Sequence, residues 1–129
     1  MNGRVLLDTN IVIALFANET VILQRLAATD EVFVPSIVLG ELYFGAYKSV
    51  RADENIARIN EFAADNTVLS CQSATAQRYG VFKHQLRSRG NPISENDIWI
   101  AAIAMQYQLT LVTRDAHFQT IDGLMLGRW

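Results

Sequence analysis

An α/β fold, with a parallel sheet covered by helices on both faces, is predicted by three observations. Short apolar runs alternate with longer stretches of helical spacing from one end of the chain to the other. The runs around Val5, Val32, Val68 and Leu111 are near-continuously apolar, as expected of strands buried on both sides. Acids stand just past the ends of two of them, in "VLLDTN" and "LVTRDAHF", and open parallel sheets bind ligands beyond the carboxyl ends of their strands.

The elements follow in order. Residues 5–8 read as a first strand and 10–17 as a helix, with a second helix over 19–28 capped by Asn18. A strand over 32–34 is closed by Pro35, and Ser36 is a suitable N-cap for a helix reaching about Val50. Ile56, Ile59, Phe62 and Ala63 give residues 52–64 an apolar helical face. Residues 67–69 form a third strand, and the helix over 74–89 ends at Gly90, with Pro92 reinforcing the break. Ser94 opens a helix through Gln106, residues 109–113 make a fourth strand, and 124–126 a short fifth. A parallel sheet of four to five strands in one domain spanning residues 1–129 is the expected architecture.

Composition narrows the function. Half of the 129 residues are hydrophobic, which argues against disorder. Cys71 is the single cysteine, which rules out an internal disulfide and a cysteine-rich zinc site. The N-terminal apolar stretch is interrupted by Asp8 and Asn10 and has no cleavage signal, and no run approaches the length of a membrane span. A cytoplasmic protein with no membrane partner is expected. The formal net charge of −2 argues at first sight against nucleic acid, but the charge is unevenly spread. Arg78, Lys83, Arg87 and Arg89, with His84, share a stretch without an acid, and Lys48 and Arg51 form a smaller cluster.

Four acids occupy costly positions. Asp8 follows the first strand and Asp115 the fourth. Glu41 lies inside "SIVLGELYFGAY", a helix apolar almost all round, where an unpaired carboxylate costs several kcal/mol or takes up a proton. Gly40 and Gly45, unfavourable inside a helix, suggest that this helix packs closely against something. Asp97 has capping-box spacing from Ser94 and opens a helix that is apolar on nearly every face from Ile98 to Met105. Each acid by itself has a structural explanation: a helix cap for Asp8, Asp97 and Asp115, or a buried ion pair for Glu41. Together they point to one site. Converging carboxylates repel one another, by about 4 kcal/mol for a pair about 4 Å apart at an effective dielectric of ~20. A hard divalent cation, Mg²⁺ or Mn²⁺, resolves that repulsion with oxygen ligands. His84 and His117 read as surface residues, and zinc lacks a nitrogen or sulfur ligand set. Thr9 and Asn10 beside Asp8, and Thr113 ahead of Asp115, supply polar support. There is no glycine-rich phosphate loop, so carboxylate-held Mg²⁺ suggests phosphodiester chemistry.

"LLDTN", "PSIVLGELYFGA", "NPISENDIWIAA" and "LVTRDAHF", in that order along essentially the whole chain, resemble the PIN-domain nucleases, and more narrowly the VapC-type ribonuclease toxins of bacterial toxin–antitoxin pairs. The resemblance implies a three-layer sandwich with strand order 3-2-1-4-5, which sets the first and fourth strands side by side. It implies that Asp8, Glu41, Asp97 and Asp115 hold Mg²⁺ or Mn²⁺ and hydrolyse RNA, with Thr9, Asn10, Ser36 and Thr113 as polar neighbours. It also implies a homodimer and an antitoxin whose peptide blocks the acidic pocket, often with an arginine, for which carboxylates are a good receptor.

On this reading Asp8, Glu41 and Asp97 hold one ion, Asp115 binds a second or orients water, and cleavage leaves a 5′-phosphate and a 3′-hydroxyl. Lys48, Lys83, Arg87 and Arg89 are the candidate phosphate contacts. A near-neutral protein has modest non-specific affinity for RNA, so recognition of a shaped substrate is expected, and the resemblance suggests a structured RNA such as a tRNA. The competing readings are a DNA-directed nuclease, a non-catalytic RNA- or protein-binding domain, and an aspartyl-phosphate enzyme. The first lacks an insertion to thread DNA. The second would gain by losing the repulsion. The third lacks its second Asp, since Asn10 stands there.

Overall fold

The computed structural model describes residues 3–129. Its elements run β1 Arg4–Leu7, α1 Thr9–Phe16, α2 Thr20–Ala27, β2 Glu31–Pro35, α3 Ser36–Tyr47, α4 Ala52–Asp65, β3 Thr67–Leu69, α5 Ser73–Ser88, α6 Glu95–Tyr107, β4 Thr110–Val112 and β5 Leu126–Gly127, with a 3₁₀ turn over Ala116–Thr120. The five strands form one sheet in the order β3-β2-β1-β4-β5, and every pairing is parallel. Parallel neighbours require a crossover, so helices cover the sheet and the strands become buried apolar runs. Leu6, Leu7, Val34, Leu111 and Val112 are fully shielded from solvent.

α6 is the central helix. Ile98, Ile100, Ala101, Ala102, Ile103 and Ala104 are all buried, so its apolar character on several faces reflects packing on several sides. β5 lies close enough to β4 that a Cβ at Gly127 would stand 3.2 Å from a Thr110 methyl carbon. Gly90 takes the left-handed conformation (φ +69°) that terminates α5. No single helix among the described residues is long and apolar enough to cross a membrane.

Local chemistry differs from the sequence expectation at several points. Asn18 adopts a left-handed backbone (φ 57°) after α1, a conformation asparagine tolerates, and Glu19 takes the N-cap position of α2. Pro35 occupies the N-cap position of α3, so Ser36 is its first helical residue and caps nothing. α3 ends at Tyr47, short of Val50. Gly40 and Gly45 face open space, with nothing within 4 Å of a Cβ at either, so close packing inside this chain does not explain them.

Ile103→Ala removes buried volume from the α6 layer and is expected to cost about 2–5 kcal/mol in urea unfolding, whereas Val81→Ala, on the exposed side of α5, should stay within about 0.5 kcal/mol.

Candidate active site

Asp8 is the best-defined member of the site. Its backbone N–H continues the β1–β4 pairing by donating to the Val112 carbonyl (3.0 Å), which sets Asp8 beside Thr113. One carboxylate oxygen accepts from the Thr9 N–H (2.8 Å) and so caps α1; the other accepts from the Thr113 hydroxyl (2.7 Å). Asp8 is therefore a cap, which leaves it a candidate site residue as well, and only 5% of its surface is exposed. Asn10 lies over the same pair, its amide 3.4 Å from both Asp8 Oδ2 and Thr113 Oγ1, while its carbonyl accepts from the Arg114 N–H (3.2 Å).

The other acids are fixed from different elements. The Thr9 hydroxyl donates to Glu41 Oε1 (2.8 Å), linking α1 to α3 across the mouth of the site. The Asp97 N–H donates to Ser94 Oγ (3.2 Å), which forms the serine half of a capping box. The Asp115 N–H donates to Thr113 Oγ1 (3.0 Å), and its carboxylate accepts from the His117 N–H (2.9 Å), capping the 3₁₀ turn. Thr113 thus serves Asp8 and Asp115 at once.

Electrostatics show that the four acids share one field. Burial pushes the Asp8 carboxyl above its ordinary range; the hydrogen bonds from Thr113 and Thr9 oppose this, and the charges of Glu41 and Asp115 add to it. Asp97 is likewise raised, first by burial, against which the Ser94 hydroxyl works, and then by the charges of Asp8, Asp115 and Glu41. Asp8 and Asp97 both stand at helix N-termini, where the helix dipole favours a carboxylate. No lysine or arginine among the described residues pairs with Asp8, Glu41, Asp97 or Asp115, so a buried ion pair does not explain Glu41. The donor set is all oxygen, which suits a hard cation. Among the described residues no three His, Cys, Asp or Glu side chains already close into a metal cage. Mg²⁺ keeps several waters and binds through one or two carboxylates, so it does not require a closed cage.

This sheet order, with carboxylates gathered at the ends of β1 and β4 and on α3 and α6, coincides with a match to the PIN domain model over residues 5–124. The chain belongs to the PIN-domain family. Its VapC branch is where the relatives fall. Ribonuclease VapC2 of Haemophilus influenzae is 37% identical over 129 residues, covering 98% of each chain. The tRNA(fMet)-specific endonuclease VapC of Shigella flexneri is 30% identical over 98% of each chain. In the solved structure of DNA-bound VapBC from Salmonella typhimurium, a chain 29% identical superimposes with a TM-score of 0.91 over 98% of both chains.

Other residues of this PIN domain fall less neatly. Thr9, Asn10 and Thr113 are in the acid network, but Ser36 makes no hydrogen bond to it among the described residues. Lys83 pairs with Glu95 and the Tyr79 hydroxyl, and Arg89 with Asp122 and the Thr120 carbonyl. Lys48 lies 4.3 Å over the Phe44 ring, and Arg87 is exposed without an ion pair among the described residues. The basic stretch on α5 is therefore partly neutralised within the fold.

Two contributors were not singled out from the sequence. His117 Nδ1 lies 3.1 Å from Asp115 Oδ1. Arg114 grips both Glu19 oxygens (2.9 and 3.2 Å) and the Trp129 carbonyl (2.9 Å), fixing the backbone between Thr113 and Asp115. Adjacency to Asp115 was the only sequence signal for either, because both partnerships depend on distant or terminal residues.

Raised carboxyl groups bind more protons in the folded state than in the unfolded one, so they lower stability as pH rises through their range. Asp97→Asn is therefore expected to melt above wild type at neutral pH in EDTA, by less than about 1 kcal/mol because the site opens to solvent. The gain should shrink as the pH falls through the raised carboxyl range, and thermal melts across pH check it.

Proposed function

We propose that this chain is a metal-dependent endoribonuclease, the toxin of a toxin–antitoxin pair, that hydrolyses phosphodiester bonds in a structured RNA. The observation that carries the reading is the set of four carboxylates from β1, α3, α6 and the end of β4, with which no lysine or arginine among the described residues pairs. Support for RNA as the substrate comes from the relatives named ribonuclease and tRNA(fMet)-specific endonuclease. A tRNA also suits a protein of net charge −2, which must recognise shape because it has little general attraction for polyanions.

In this reading Asp8, Glu41 and Asp97 would hold Mg²⁺ or Mn²⁺, and Asp115 would hold a second ion or orient water. The bound ion neutralises phosphoryl charge and lowers the pKa of a water. The chain's own residues prepare for that. Thr113 and the Thr9 N–H keep Asp8 oriented, Thr9 fixes Glu41, and Ser94 sets the turn that presents Asp97. Hydrolysis adds water across the phosphodiester, breaking the bond to the 3′ oxygen and leaving a 5′-phosphate and a 3′-hydroxyl.

The antitoxin has a candidate seat. A groove of about 270 Å³, walled by Ile13, Phe16, Leu42, Ala46 and Ile59 with Asn55 and Arg58 at its polar side, runs up to Thr9 and Glu41. A partner segment lying there could place an arginine on the carboxylates. Solved VapBC complexes of similar chains support a partner of this kind. The same reading has two copies associating in solution and the protein working in the cytoplasm, where its RNA is.

Initiator tRNA transcript incubated with the protein and Mg²⁺ or Mn²⁺ should be cut to 5′-phosphate-bearing fragments, and EDTA should stop the reaction. Asp8→Asn and Asp97→Asn should each lower kcat at least about 100-fold. Metal should raise the wild-type melting temperature, and raise that of Asp97→Asn less. No cleavage of this transcript or of total tRNA under those conditions would overturn the reading.

A further inference from the structure

A second recess adjoins the acidic site at the carboxyl edge of the sheet. The Thr113 N–H donates to the Gly127 carbonyl (3.0 Å), so the chain leaving β5 passes alongside the segment that carries Asp115. Thr113, Asp115, Gln119, Gly127 and Arg128 wall the resulting space of about 190 Å³. It shares Thr113 and Asp115 with the acid network. Sites that take a whole small ligand run to roughly 300–1,000 Å³, so this recess suits one group of a longer chain.

Charge selects the group. A polyanion reaching the four carboxylates is repelled wherever its flanking phosphates find no cation. Arg114 is engaged by Glu19 and the terminal carbonyl, Lys83 by Glu95, and Arg89 by Asp122. Arg128 is exposed and has no ion pair among the described residues. The Asp115 carboxylate across the recess is held by the His117 N–H and approached by its ring, and it does not pair with Arg128. Arg128 is therefore the uncommitted cation in the wall nearest Asp115. A guanidinium there can meet a phosphate with two parallel hydrogen bonds, and Gln119 adds a neutral donor and acceptor for the sugar or base.

We propose that this recess is a substrate subsite in which Arg128 binds the RNA phosphate next to the one being cleaved. The proposal rests on the ribonuclease reading for its ligand, but it is tested by binding as well as by cleavage. Fluorescently labelled initiator tRNA transcript is titrated with the full chain in EDTA across a range of NaCl, and cleavage is measured separately with Mg²⁺. The variants are Arg128→Gln, Arg128→Lys and, as a control, Arg25→Gln on α2, which shares a separate recess with Gly3 and Arg4 at the amino end of β1.

Arg128→Gln should raise Kd and KM about tenfold, change kcat less than about twofold, and flatten the salt dependence of binding by about one phosphate contact. Arg128→Lys should keep the wild-type salt slope, and Arg25→Gln should behave as wild type. If Arg128→Gln binds with unchanged affinity and slope, or loses kcat alone, the recess is not a phosphate subsite. A wild type that binds the transcript without cutting it defeats the ribonuclease reading and leaves the salt slope of Arg128→Gln to decide the subsite. A wild type that binds neither this transcript nor total tRNA overturns both.

Discussion

Asp8 has to keep a carboxylate available while almost shut off from water, and the structure is arranged around that demand. Burial alone would favour its neutral form. Two hydrogen bonds hold the charged form, one from the Thr9 N–H and one from the Thr113 hydroxyl. The second exists because β1 and β4 are neighbours and their pairing runs one residue past the end of β1. From Thr113 the network continues to the Asp115 N–H and to Asn10, and from Thr9 to Glu41. One strand junction therefore orients three of the four acids. The fourth, Asp97, comes from a separate element whose position is set by the packing of α6 in the core.

The arrangement carries a standing electrostatic penalty. The acids raise one another's proton affinity, and no lysine or arginine among the described residues pairs with them. Buried charges left without a partner destabilise a fold unless something external binds them. A cation, an RNA phosphate bridged by one, or an arginine from a partner protein would each provide the missing charge. The chain spends several of its own cations elsewhere: Lys83 on Glu95, Arg89 on Asp122 and Arg114 on Glu19. These pairs fasten α5 to α6, α5 to the turn before β5, and the end of β4 to α2. They keep the neighbourhood of the acids rigid without neutralising it.

Much of this was legible in the residues, because the signals are local. Burial on both faces makes each strand read as an apolar run, and β3 matched its expected bounds at Thr67–Leu69. Ser94 was readable as a cap, and Gly90 as a stop, from their backbone requirements. Ser36 and Asn18 misled because a residue type suited to capping lay one position away from the cap itself. Gly40 and Gly45 misled because a glycine inside a helix need not mark a close approach: nothing stands within 4 Å of a Cβ at either. The pairing of Lys83 with Glu95 and of Arg89 with Asp122 was not legible, because sequence shows charges and hides their partners.

The sequence by itself determined the α/β class, nearly every element, and the four acids, since each acid sits where an isolated carboxylate is costly and the cost can be read from its neighbours in the chain. Only the tertiary structure decided which hydroxyl orients Asp8, which cations are already paired, and that Arg128 stands in the wall of a recess beside Asp115. The reason is distance along the chain. Asp8 and Thr113 are separated by 105 residues, and nothing in either local sequence encodes a contact that exists only after the strands have chosen their neighbours.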